Sequence, residues 1–281
     1  ALTNPSPSLA MLHLRQLLTS VFLFCVCAPA VAEVQTKVIE YKHGDVVLEG
    51  LLAWDDAVAS EKSPQPGIVV CPEWWGNNDY ARGRAKKLAE LGFVAFSIDV
   101  YGKGKLTTDA GQASKWAGEL YGSAELMSGR AKAGLDVLTS QVQVDKTRLA
   151  AIGYCMGGTV ALELARTGAD LDAVVAFHAG KLTALGEAST NARIKGAVLA
   201  CHGQADTFVS ADELRAFHEQ MSDAKLYYQF VSYPGAVHAF TNPNAGKFGV
   251  PGVDYNETAD RRSWEHMKAW FAEAFARPER R

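Results

Sequence analysis

The chain has 281 residues, 48% of them hydrophobic and 21% charged, with a formal net charge of −3. That length and balance suit a globular chain with a large core and room for one α/β domain. The charge is close to zero and no basic block occurs, which argues against nucleic acid as a partner.

Taken in order, the chain opens with residues 1–10, which fit neither a targeting segment nor a fold. From Met11 a weakly basic start, His13 and Arg15, leads into the apolar stretch Leu17 to Ala28 and then Pro29-Ala-Val-Ala32. An apolar core ending in Ala30-x-Ala32 is the pattern of a secretory signal peptide, cleaved after Ala32. It is too short to span a bilayer comfortably; a buried N-terminal helix is the plainer alternative. The expectation is a secreted or periplasmic protein, with a signal region at 1–32, one domain at 33–281, and no stable membrane association after cleavage. The sequence leaves the oligomeric state open.

Of the five cysteines, Cys25 and Cys27 leave with the signal, and Cys71, Cys155 and Cys201 remain. Three is odd, so at least one thiol stays unpaired even in an oxidising compartment. Cys71 and Cys201 each end an apolar run, which predicts two buried structural thiols on strands that are not neighbours and do not pair.

Val34 to Tyr41 and Val46 to Ala53 alternate as a hairpin does, joined by His43-Gly44-Asp45. Ala57 to Pro66 is a polar, Pro-containing loop. Gly67 to Cys71 is an all-apolar run of the kind buried in a parallel sheet. Pro72-Glu-Trp-Trp-Gly76 comes next, and a helical pattern covers Tyr80 to Leu91. Phe93 to Ile98 is the next strand. Tyr101 to Leu126 is Gly-rich with weak periodicity, too long for a turn, and is expected to be a lid or insertion over a site. Met127 to Ser140 returns to helix. Ala173 to Phe177, Gly196 to Ala200 and Leu226 to Tyr233 are predicted strands, with helices at Ala211 to Asp223 and about Asn256 to Phe275. Strands and helices alternate without repeats, so the fold class is α/β: a doubly wound, mostly parallel sheet with helices on both faces.

The most informative stretch is Leu149-Ala-Ala-Ile-Gly-Tyr-Cys-Met-Gly-Gly158, a strand-type run, a tight turn around Cys155, and then a helical pattern. It matches G-x-S-x-G, the nucleophile elbow of α/β-hydrolases, with Cys in place of Ser. The glycines let the turn hold a strained residue close to neighbouring backbone, and the helix N-terminus favours negative charge on the sulfur. An ordinary buried thiol in a glycine-rich turn is the plain alternative.

In sheets of this kind sites gather at the carboxyl ends of the strands. Asp206 lies just past the strand around Cys201, and His238 just past the strand ending at Tyr233. Cys155, Asp206 and His238 then run in the order nucleophile, acid, base of α/β-hydrolases. His238 would take the Cys155 proton and later protonate the leaving group, with Asp206 fixing the imidazole tautomer. Alone, Asp206 could cap a turn and His238 could be a loop histidine; the three together carry the reading. His178 follows another strand and is expected beside the pocket. His202 would bond locally, and His43, His218 and His266 fall in a turn or on helices. No spacing suggests a metal, and the chemistry calls for no cofactor.

With these residues and Cys71-Pro-Glu-Trp-Trp-Gly76 in place, the chain resembles the dienelactone hydrolase family from about Gln35 to the C-terminal helix. The resemblance rests on Gly153-Tyr-Cys-Met-Gly-Gly158, the Glu-aromatic-x-Gly loop after the third strand, and Gly235-x-x-His238-x-Phe240. It implies that Glu73 contacts the cysteine and holds the resting thiol protonated, and that the N–H groups of Met156 and Trp74 form the oxyanion hole. Trp74 and Trp75 would wall an apolar pocket. Family members acting on dienelactone carry an arginine four residues after the histidine, where this chain has Asn242; Arg82, Arg84 or Arg130 would have to supply the charge. The implied substrate is a small-molecule ester or lactone, cleaved through a thioester on Cys155. A non-catalytic binding or thiol-sensing protein on the same fold is the second reading.

Overall fold

The computed structural model describes residues 1–3 and 34–277. The expected signal peptide and its cleavage point after Ala32 lie outside the described residues.

Among the described residues eight strands form one sheet: β1 Val34–His43, β2 Val46–Asp55, β3 Gln65–Cys71, β4 Val94–Ser97, β5 Val144–Tyr154, β6 Ala173–Phe177, β7 Ala197–Gly203 and β8 Tyr228–Tyr233. Six α-helices among the same residues accompany them: α1 Asp79–Ala89, α2 Ala110–Tyr121, α3 Ala124–Thr139, α4 Met156–Arg166, α5 Ala211–Asp223 and α6 Glu257–Ala276. The strand order is β1-β2-β4-β3-β5-β6-β7-β8. The β1–β2 hairpin is antiparallel and attaches antiparallel to β4, while every pairing from β4 to β8 is parallel.

The alternation of a strand's side chains decides which layer each residue joins. Ile68 and Val70 of β3 pack with Leu88 of α1 and Met267 and Phe271 of α6. Val69 and Cys71 point the other way, into the core shared with Leu120, Leu135, Val160 and Phe217 of α2 to α5. Central strands buried on both faces are therefore apolar throughout, which is why their runs read so plainly in the sequence.

Most elements fall within a few residues of their expected bounds. The exception is Tyr101 to Leu126, which holds α2 and the start of α3 rather than an irregular insertion. Asp109 caps α2 by accepting from the Gln112 N–H at 2.7 Å, and Ala113, Ala117 and Leu120 form its buried stripe. Ser123 caps α3 through the Leu126 N–H. Gly111 and Gly118 within α2 and Gly122 at its C-cap dilute the helical period, and packing against α3 and the core overrides their low propensity.

Cys71 and Cys201 are buried free thiols on β3 and β7, with β5 and β6 between them. Among the described residues no helix is long and apolar enough to cross a membrane.

The chain leaves β3 toward β4 on one side and resumes with β5 on the other, so the order reverses at β3. A crevice opens at the carboxyl ends of strands at such a reversal. The loops after β3, β5, β7 and β8 converge there.

Candidate active site

Cys155 stands between β5 and α4 with φ 53° and ψ −121°, a backbone conformation costly for a non-glycine residue. Four backbone contacts hold it. Its N–H donates to Phe177 O and to His178 Nδ1, each at 3.0 Å, and its carbonyl accepts from the N–H groups of Gly158 and Gly180, each at 3.0 Å. A Cβ at position 153 would lie 1.8 Å from Gly157 O, and one at 157 would lie 2.2 Å from Cys71 O. Only glycine permits this approach of β5, α4 and the end of β3. The turn presents a partly exposed thiol.

Asp206 and His238 occupy the turns after β7 and β8, both almost fully buried. Asp206 Oδ1 accepts from the Phe208 N–H at 2.8 Å, which sets the carboxylate, and Oδ2 meets His238 Nδ1 at 2.8 Å. His238 Nε2 lies 3.1 Å from Cys155 Sγ. The structure thus brings the three residues, 83 and 32 positions apart in sequence, into one hydrogen-bonded line. Burial disfavours the His238 cation, but the negative charge of Cys155 and the carboxylate of Asp206 outweigh it and raise the imidazole to about 10. An imidazole so placed is within reach to take the thiol proton.

This line opens on a cavity of about 190 Å³. Glu73, Trp74, Trp75, Met156 and Asn242 line it, with Trp74 and Trp75 in the wall that the resemblance implied for them. Trp75 is buried and stacks on Phe248 with ring centres 4.4 Å apart; Trp74 meets Trp75 edge-on at 4.9 Å. Met156 begins α4, so its N–H lies in the first helical turn, where no preceding carbonyl can reach it.

Glu73 is placed differently from the expected contact with the cysteine. The thiol's hydrogen bond is to His238, and Glu73 Oε2 accepts instead from Asn242 Nδ2 at 2.6 Å. Burial pushes the Glu73 carboxyl up to about 7, against the lowering effect of the Asn242 hydrogen bond.

His178 does not reach the pocket wall. It is fully buried behind Cys155, where Nδ1 accepts from the Cys155 N–H and Nε2 meets Thr241 Oγ1 at 2.6 Å. Burial, with the nearby charges of His238 and Arg84, holds its pKa well below the usual histidine value. It is neutral, with the proton on Nε2, because Nδ1 must accept. His178 joins the cysteine turn to the loop carrying His238 and Asn242.

The candidate cations do not line the cavity. Arg84 is buried and donates to Asp260 at 2.7 Å and to the Thr241 carbonyl, Arg82 pairs with Glu49 at 3.0 Å, and Arg130 donates to the Val100 carbonyl. Among the described residues, no lysine or arginine borders the cavity, and no group of three or more His, Cys, Asp or Glu side chains could hold a metal.

Sequence reasoning missed Phe208, Tyr121 and the Phe248 to Val253 wall. Phe208 rests on His238 with ring centres 4.6 Å apart. An aromatic two residues past Asp206 in a site loop was a usable signal. Tyr121 had none, since its helix was not recognised.

Comparison with known proteins agrees with this architecture. The model of the dienelactone hydrolase family matches residues 55–275. A putative carboxymethylenebutenolidase of Saccharolobus solfataricus is 24% identical over 249 residues, covering 76% of this chain and 91% of that protein. A dienelactone hydrolase-like promiscuous phosphotriesterase from metagenomic libraries is 40% identical, with a TM-score of 0.82 over 86% of this chain and 98% of its own. A putative dienelactone hydrolase from Klebsiella pneumoniae shares the fold at 21% identity and a TM-score of 0.70, over 86% of this chain and 99% of its own. With the family's pattern running from the end of β2 to α6, this chain is an α/β-hydrolase and belongs to the dienelactone hydrolase family.

Proposed function

We propose that the protein hydrolyses small neutral esters or lactones with Cys155 as nucleophile, His238 as acid and base, and Asp206 as the group that orients the imidazole. The observation that carries this is the line Asp206 Oδ2, His238 Nδ1, His238 Nε2, Cys155 Sγ, ending at an apolar cavity. The thiolate attacks the ester carbonyl carbon, and the carbonyl oxygen becomes an oxyanion held by the N–H groups of Trp74 and Met156. Collapse breaks the C–O bond, His238 Nε2 protonates the departing alkoxide, and a thioester remains. His238 then takes a proton from water, the hydroxide attacks the thioester, and the second collapse returns the thiolate and releases the acid.

The neutral-substrate reading comes from charge. The cavity holds Glu73 and no lysine or arginine among the described residues, so a substrate carboxylate would find no guanidinium or ammonium partner and would face a carboxyl group. The 40% identical relative is described as a promiscuous phosphotriesterase; a neutral phosphotriester therefore belongs in the substrate panel beside short acyl esters and lactones. The presence of His238 against the thiol weighs against the thiol-sensing alternative, which needs no general base.

Cys155→Ala abolishes turnover of every substrate in the panel while leaving the melting temperature close to wild type, and mass spectrometry of the wild type under single turnover finds the acyl group on Cys155. Activity retained in Cys155→Ala overturns the assignment.

We also infer export, with residues 1–32 removed and 33–281 left as the mature enzyme; the support is the signal-like pattern alone. Terminal sequencing of protein recovered from the host's extracytoplasmic fraction should begin at Glu33.

A further inference from the structure

Tyr121 borders the cavity, yet the thioester route leaves it without a task. It ends α2, one helical turn after Ala117, and the two side chains share the helix face turned to the cavity. Its hydroxyl is poorly partnered: the bond it makes to Thr159 Oγ1 is 3.5 Å long, far beyond the ordinary O–H···O distance of about 2.8 Å. Thr159 Oγ1 is already engaged in both senses, donating to Lys181 O at 2.9 Å and accepting from Lys181 N–H at 3.0 Å. A phenol facing a cavity with so weak a bond is a donor in want of an acceptor.

Gly180 locates that donor. A Cβ built there would lie 2.4 Å from Tyr121 Oη and 3.9 Å from Met156 N. The small space beside Gly180 is thus bordered by the phenol oxygen and by the N–H assigned to the oxyanion. Gly180 is itself tied to the cysteine turn, its N–H donating to Cys155 O.

We propose that Tyr121 is a third hydrogen-bond donor to the oxyanion, acting beside Met156 N–H. The proposal rests on the reading of Cys155 as nucleophile. The phenol proton stays on Tyr121 throughout; its bond shortens as the carbonyl oxygen gains charge and lengthens again on collapse. Burial, and then the negative charge of Cys155, push the phenol well above its ordinary pKa, so it is a donor at every working pH. Gly180 is small because any side chain there would push the hydroxyl aside.

The test compares two reactions at one sulfur. Ester turnover passes through an oxyanion, whereas alkylation of Cys155 by iodoacetamide does not. Tyr121→Phe in the full chain should lower kcat for p-nitrophenyl butyrate on the order of 100-fold, leave KM within about threefold, and leave the alkylation rate unchanged. Gly180→Ala should reproduce this pattern with the hydroxyl still present, and it decides the matter if Tyr121→Phe fails to fold. Turnover within twofold of wild type, or alkylation slowed in step with turnover, overturns the proposal. Failure of the parent reading looks different: turnover would then survive Cys155→Ala, whatever Tyr121→Phe does.

Discussion

Asn242 Nδ2 donates to Glu73 Oε2 at 2.6 Å across 169 residues of sequence, joining the loop after β3 to the loop after β8 inside the cavity wall. An amide thus occupies the place where family members that act on dienelactone carry a cation, and it is spent on the protein's own carboxyl. Asn242→Arg should reverse the charge preference. We expect kcat/KM for an ester with a free carboxylate to rise about tenfold relative to its neutral counterpart, the scale of one charge-assisted hydrogen bond. An unchanged ratio would show that the introduced guanidinium is consumed by Glu73.

The same pair makes stability depend on pH. Glu73 has its carboxyl raised from 4.5 to about 7 by burial, so the native state binds a proton that the unfolded chain releases. The stability this contributes is complete below about 4.5 and is lost as pH rises through about 7. Glu73→Gln keeps an acceptor for Asn242 and removes the titration. Thermal melts at pH 5 and pH 8 should show the wild type losing up to about 3 kcal/mol more than the variant between the two. Parallel changes in both proteins contradict the assignment.

His238 sets the alkaline limit of activity. With its pKa raised to about 10, the imidazole keeps its proton through neutral pH and loses it as pH passes about 10. The profile of kcat/KM should therefore fall on an alkaline limb near 10. Asp206→Asn removes one of the charges that raises it, moving that limb to lower pH and reducing kcat/KM by up to about 10⁴-fold. A limb that stays in place would mean that Asp206 does not act on the imidazole.

The cysteine turn should not tolerate a single added methyl group. A Cβ at Gly157 would lie 2.2 Å from Cys71 O and 2.5 Å from Pro72 O, both backbone atoms that cannot swing aside. Gly157→Ala is expected to destabilise by about 3 kcal/mol or more, read by urea denaturation. Gly83→Ala, where nothing lies within 4 Å, is the control and should be neutral or stabilising.

The order of strands and helices was legible because their physical causes are local. Buried parallel strands such as Ile68-Val-Val70 and Ala173 to Phe177 are apolar without interruption, and the end of β5 and the start of α4 carry the glycines that a tight turn requires. Where two glycines interrupt a helix, as along α2, local signals failed, since the stripe Ala113, Ala117, Leu120 gains its meaning only against the core it packs on.

Within the site the same division holds. Cys155, Asp206 and His238 could be picked out because each ends a strand, and the fold brings strand ends to one edge. Partners could not. Glu73 bonds Asn242 rather than the thiol, His178 lies behind Cys155 rather than at the wall, and Tyr121 arrives on a helix from the far side of β4 in sequence. By itself, then, the sequence determined an α/β sheet with a cysteine elbow and three chemically matched strand ends, because periodicity and backbone sterics act over a few residues. Hydrogen-bond pairing, burial and the charge of the cavity depend on atoms as far as 176 positions apart meeting at hydrogen-bond distance, and only the tertiary structure decides those.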